Sequence, residues 1–136
     1  MSNLYVECPK VCNICGGEVE LVLKTAIYGH NLRYNSGSPY LYHCKKCGAT
    51  VGTHKTRPHV AMGLLANKEM AEMRQKAHDM FDKFWKNAKD RTVCYQKLAE
   101  EMKIPFEECH FARFTLEQLE ESYQILLRWW REKYDK

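Results

Sequence analysis

Cys12-Asn13-Ile14-Cys15-Gly16-Gly17 is answered, after an interval of 28 residues, by Cys44-Lys45-Lys46-Cys47-Gly48-Ala49. Each unit is a C-x-x-C turn, which sets two sulfurs on one side of a tight loop. Each is followed by a Gly able to take the positive φ that swings backbone amides toward the thiolates. Two such turns brought together by a hairpin supply four soft ligands in a tetrahedron, the arrangement zinc prefers in closed structural sites. Cys12, Cys15, Cys44 and Cys47 are therefore read as the ligands of one structural zinc ion in a zinc ribbon. A redox pair or disulfides fit less well, because two matched pairs flanking a strand hairpin are seldom accidental. A four-thiolate shell leaves no open coordination position, so such a metal stabilises the fold rather than catalysing. Cys8, His43 and His54 are the candidate substitute ligands nearby, and the doubled pattern is complete without them.

The interval between the two turns supplies the hairpin. Glu18 to Tyr28 (EVELVLKTAIY) reads as a first strand and Tyr40 to His43 as a second that runs straight into Cys44. Gly29 to Pro39 between them has turn composition. A third short strand, Ala49 to Thr53, leads into the basic stretch His54-Lys55-Thr56-Arg57-Pro58-His59, and the three strands are expected to form a small antiparallel sheet.

Beyond Met62 the apolar period changes from two to three and four. Met70, Met73, Ala77, Met80, Phe81 and Phe84 predict one helix over Asn67 to Asn87, with Asn67 as its N-cap. A second helix is expected from Thr92 to Lys103, stopped by Ile104-Pro105. The last begins at Thr115, where Gln118 three residues on makes a capping box, and its stripe runs through Leu116, Leu119, Tyr123, Leu126, Trp130 and Tyr134. Trp130 is then core, and Trp129, about 100° away around the helix, lies toward the edge, where it either packs or faces a partner. Cys94 and Cys109 read as small buried hydrophobes. The expected architecture is α+β: a zinc ribbon over residues 1–60 packed on a three-helix unit over residues 61–136.

Composition bounds the function. The 136 residues include 45% hydrophobic and 28% charged residues, which excludes disordered and fibrous classes. No apolar run approaches the roughly 18 residues of a membrane span, and Met1 to Lys10 lacks the pattern of a secretory signal. A cytoplasmic protein with reduced thiols is expected. The whole formal excess of +4 sits in residues 1–60, because the rest of the chain balances its cations and anions. A tetrathiolate zinc centre carries a charge of −2, so the metallated half is nearer about +2. The surface stays basic, but modestly so.

The order CxxCG, Ile27-Tyr28-Gly29, CxxCGAxVGTHK (Cys44 to Lys55), Gly63-Leu64-Leu65-Ala66-Asn67-Lys68-Glu69, Lys76-Ala77-His78, Phe81-Asp82, Trp85, Tyr95-Gln96-Lys97-Leu98-Ala99, Ile104-Pro105 and Glu108-Cys109-His110-Phe111 resembles the phage and prophage zinc-finger-containing domain family. The resemblance covers about residues 8 to 114. It implies a zinc ribbon fused to helices, of phage or prophage origin, and no defined activity. The segment from Gln118 to Lys136 reads as an addition to it. The ribbon is also similar, more weakly, to the C-terminal zinc ribbons of bacterial type I topoisomerases, in which an aromatic strand leads into the second Cys pair.

Such ribbons hold single-stranded DNA by stacking bases on aromatics while cations track the phosphates. The matching residue types here are Tyr28, Arg33, Tyr34, Tyr40, Tyr42, Lys45, Lys46, His54, Lys55 and Arg57, which makes a non-enzymatic nucleic-acid-binding accessory protein the leading expectation. The alternative is a phage protein that binds and modulates a host protein through its helical half and Trp129. A third reading gathers His54, His78 and His110 into a general acid-base site, although no nucleophile elbow, Gly-rich phosphate loop or HExxH pair supports an enzyme.

Overall fold

In the computed structural model, which describes residues 5–29 and 38–134, the chain is α+β, with an antiparallel sheet in its first part and helices after it. It divides into two compact units, Met1–Lys68 and Glu69–Lys136.

The first unit is built on three strands, β1 (Val19–Leu23), β2 (Tyr40–Cys44) and β3 (Thr50–Gly52), in the order β1-β2-β3. Its register pairs Val19 with Cys44, Leu21 with Tyr42 and Tyr42 with Val51. Because side chains alternate across a strand, Val19, Tyr42, Cys44 and Val51 share one face, and this face forms a small core with Cys12, Ala49, Ala61 and Leu65. The first strand is shorter than the sequence predicts. It gives way after Leu23 to a short helix, α1 (Lys24–Tyr28), where the Lys24 amide bonds to the Pro39 carbonyl. Apolar alternation breaks at Lys24-Thr25-Ala26, which is where the ladder ends.

The sequence boundary at residue 60 falls too early. The Ala61 amide donates to Glu7 (2.7 Å), Met62 to Gly52 (2.9 Å), and Thr50 and Ala66 exchange two bonds of 3.1 and 2.9 Å. Residues 61–66 therefore line the outer side of β3 and give its backbone groups partners, and Ala61 and Leu65 complete the ribbon's core. An extended segment of this kind has no periodicity of its own for a sequence pattern to detect.

The second unit contains α2 (Lys68–Phe81, starting one residue before the division), α3 (Ala88–Met102) and α4 (Leu116–Tyr134). The single helix expected over Asn67 to Asn87 is shorter. A 3-10 turn over Asp82–Phe84 follows α2, Trp85 is extended, and Asn87 begins the next helix by accepting from the Asp90 amide (2.9 Å). That cap explains why α3 starts four residues before Thr92: an Asn reads equally as a helix end or a helix start. At the other end of α3, Lys103 adopts the left-handed conformation (φ 60°). The predicted capping box of α4 is present, with Gln118 N donating to Thr115 Oγ1 (3.3 Å) and Thr115 N to Gln118 Oε1 (3.0 Å). The core joins Ala77, Phe81, Leu98, Ala99, Met102, Cys109, Phe111, Phe114, Leu119, Leu126 and Trp129, with Cys94 packed against it.

Candidate metal centre

Each Cys pair sits in a turn made by the same hydrogen bonds. Gly16 N donates to Cys12 O and Gly48 N to Cys44 O, both at 3.0 Å, while Cys12 N donates to Gly17 O (2.9 Å) and Cys44 N to Ala49 O (2.8 Å). Gly16 and Gly48 take φ of 76° and 81°, the left-handed values their spacing predicts. In this conformation backbone amides point at sulfur: Ile14 N at Cys12 Sγ, Gly17 N at Cys15 Sγ, and Lys46 N and Cys47 N at Cys44 Sγ, all at 3.4 Å. Gly17 is required for a different reason, close approach. A Cβ there would lie 2.7 Å from Lys46 Cβ and 3.1 Å from Cys44 Sγ, so the two turns meet at a point with no room for a side chain.

The four sulfurs lie within 4.8 Å of one another, with Cys12 and Cys47 at 3.7 Å and Cys15 and Cys44 at 3.4 Å. A tetrahedral zinc with Zn–S bonds of about 2.3 Å has S···S edges of about 3.8 Å, so the spacing fits. The electrostatics favour the same ion. Amide bonds, that of Cys47 foremost, lower the Cys44 thiol to about 6 despite its burial. The Ala49 amide pulls Cys47 the same way, but desolvation and the sulfurs of Cys15, Cys44 and Cys12 push that thiol up to about 12. The opposite directions of the two shifts reflect the cost of gathering negative charge on sulfurs this close together. A divalent cation removes the conflict by keeping all four ionised. The chain holds one structural zinc ion on Cys12, Cys15, Cys44 and Cys47. Cys8 lies outside the cluster, its thiol on the His59 carbonyl at 3.3 Å, and His43 Nδ1 faces Glu20 at 3.4 Å.

One residue inside the first C-x-x-C turn has a role its sequence position does not suggest. The Asn13 side chain accepts from Leu65 N (2.9 Å) and donates to Leu65 O (3.0 Å), clamping the metal turn to the segment that follows β3. A side-chain amide mimicking a strand neighbour leaves no pattern in a single sequence.

The residues expected to contact nucleic acid lie in different surroundings. Tyr42 is 6% exposed and belongs to the ribbon core, with its hydroxyl donating to the His59 carbonyl. Its ring is thus unavailable for base stacking. Tyr28 is half-buried with its hydroxyl on Thr50 Oγ1 (3.1 Å). Lys45 is drawn to Glu18 (2.6 Å) and Glu20 (3.6 Å), a pairing created by the β1–β2 register. Lys46, Lys55 and Arg57 are exposed and His54 is partly so. Arg33 and Tyr34 lie outside the described residues.

The tryptophan pair is oriented opposite to expectation. Trp129 is 6% exposed, packs edge-on to Phe84, and donates its indole N–H to Glu101, while Trp130 is only half-buried. The buried stripe of α4 is Leu119, Ser122, Ile125, Leu126 and Trp129. Ser122 hides its hydroxyl on the Leu119 carbonyl (2.8 Å), so a polar residue marks the core face and the apolar count pointed to the wrong edge. A Trp in this setting is packing, which removes it as a partner anchor. His78 and His110 lie in the helical unit around Phe111 and Tyr95, and His54 lies in the ribbon unit. No helix among the described residues is long and apolar enough to cross a membrane.

No curated protein and no solved structure matches the chain. The zinc-finger-containing domain family matches residues 8–129, which extends past Gln118 and takes α4 up to Trp129 into the family rather than leaving it as an addition. With the four-cysteine cluster and its spacing already in place, the chain belongs to the zinc-finger-containing domain family.

Proposed function

We propose that the zinc ribbon is a nucleic-acid-binding module and that the protein is a non-enzymatic accessory factor acting through it. The observation that carries this reading is the loop over residues 54–60. It is closed by His54 N to Val60 O (3.0 Å), Arg57 N to His54 O (3.2 Å) and Val60 N to Arg57 O (2.9 Å). It is tied to the sheet by the Tyr42 hydroxyl, and it presents Lys55, Arg57 and His59 to solvent. Among the described residues neither Lys55 nor Arg57 forms an ion pair. Cations held on a firm loop without carboxylate partners can exchange counterions for phosphates.

Lys46 adds a third such cation, and Tyr40 is the exposed tyrosine among those described in the ribbon, so stacking rests on it. Fluorescence anisotropy of zinc-loaded protein with single-stranded DNA, duplex DNA and RNA at several salt concentrations tests the reading. Three phosphate contacts predict a slope of log K against log salt of about −2 on a single strand. Charge reversal at Lys55 and Arg57 should abolish binding while the zinc content stays intact. Absence of binding at low salt to all three nucleic acids overturns the proposal.

A further inference from the structure

The residues of the helical unit that carry the family resemblance but take no part in the metal centre converge on one patch. Asp82 accepts from Trp85 Nε1 (3.0 Å) through one oxygen and faces His78 Nδ1 (3.1 Å) through the other. The Arg91 guanidinium lies over Trp85 (5.6 Å) and over Tyr95 (5.1 Å), with a 3.5 Å bond to the Tyr95 hydroxyl. His110 stands against Tyr95 at 6.1 Å, and Phe111 lies beneath, in ring contact with both Tyr95 and His78.

Stacking holds a guanidinium in place without neutralising it. Asp82 is committed to His78 and Trp85, and among the described residues Arg91 forms no ion pair. Arg91 and His110 are both exposed. The His110 pKa is lowered, first by burial of its ring and then by the charges of Arg113 and Arg91, against a bond to the Glu107 backbone that raises it. Two guanidinium charges, those of Arg91 and Arg113, thus act on the neutral His110 ring, beside an aromatic shelf.

We infer that Arg91 and His110, on the shelf of Trp85 and Tyr95, form a binding site for a phosphate group. The planar fork of Arg matches phosphate oxygens in pairs. More than one neighbouring cation favours phosphate, which carries about −1.5 to −2 as a monoester at neutral pH, over a singly charged carboxylate. The site lies wholly within the helical unit and stands independently of the ribbon proposal.

The test uses the zinc-loaded full chain and inorganic phosphate, exchanged for chloride at constant ionic strength. The Trp85 Nε1–H and Arg91 Nε–H signals, followed by NMR, should shift and saturate, while those of Trp129 and Trp130 stay in place. Arg91→Gln should weaken binding about tenfold or more with an unchanged melting temperature. Arg91→Lys, which keeps the charge and loses the fork, should recover part of that loss. The variant carrying Lys55→Glu and Arg57→Glu should keep the full response; its loss there would move the ion to the ribbon and overturn the assignment. A second arm replaces phosphate with the phosphodiester dTpdT. Saturation by phosphate alone identifies a monoester ligand, and equal saturation by dTpdT identifies a nucleic-acid backbone. Saturation by neither, or an undiminished response in Arg91→Gln, overturns the inference.

Discussion

The two units solve the same problem by different means. Among the described residues the helical unit buries thirteen in one cluster, including Phe81, Leu98, Phe114, Leu119, Leu126 and Trp129, and is held by apolar contact. Among the described residues the ribbon's cluster has eight, two of them the metal ligands Cys12 and Cys44, and Ala49 and Ala61 are small. That cluster is small for a unit spanning Met1–Lys68, and units with small cores need a staple such as a metal ion. The difference teaches that zinc belongs to the folding of the first unit and is incidental to the second.

The sharpest way to break this contrast is to remove the metal. Cys44→Ser, or a strong chelator, should release zinc and unfold the ribbon, with a loss on the scale of the roughly 10–16 kcal/mol that structural zinc supplies to small domains. Far-UV circular dichroism should retain most of the helical signal. Dispersed strand resonances surviving in a zinc-free sample would show that the ribbon does not depend on its ion. Next in size is the reciprocal change. Leu126→Ala empties a fully buried site in the helical core and should cost about 2–5 kcal/mol in a denaturant melt, with one zinc still bound by metal analysis.

A smaller effect sharpens the picture inside the ribbon. Gly17→Ala drives a methyl group into Lys46 Cβ and Cys44 Sγ and should cost about 1–3 kcal/mol, seen as a weaker apparent zinc affinity. Gly52→Ala, whose added Cβ meets only the Met62 sulfur at 3.8 Å, is the tolerated control. Equal zinc affinity in the two variants would discard the close approach of the turns as a constraint. Smallest is Asn87→Ala, which removes the α3 cap and should cost about 1 kcal/mol by thermal melt with no change in metal content.

What the sequence made legible follows from locality. The metal ligands, the left-handed glycines after them and the α4 capping box each lie within a few residues, where spacing alone dictates geometry. Strand pairing was readable because the Cys pairs bracket it. The features that escaped are set by tertiary contacts: Asn13 reaching Leu65, residues 61–66 joining β3, and Lys45 meeting Glu18 through strand register. Tyr42 looked like a stacking platform because its type is right, yet its pleat position points it into the core. The helix faces show the same limit, since the buried Ser122 shifted the apparent stripe of α4 and exchanged the roles of Trp129 and Trp130.

The two matching turns also set the order in which the metal is exchanged. Within each turn the first cysteine is buried, Cys12 and Cys44, while the second is more open, with Cys15 half-buried and Cys47 exposed. An incoming thiol therefore reaches Cys47 first and displaces one sulfur at a time, with the remaining ligands keeping hold until the last. Alkylation of the loaded chain should label Cys47 before Cys12 and Cys44. The lifetime of the bound ion is thus governed by one accessible sulfur, and a single substitution at position 47 would change how fast zinc leaves more than how tightly the buried pair grips it.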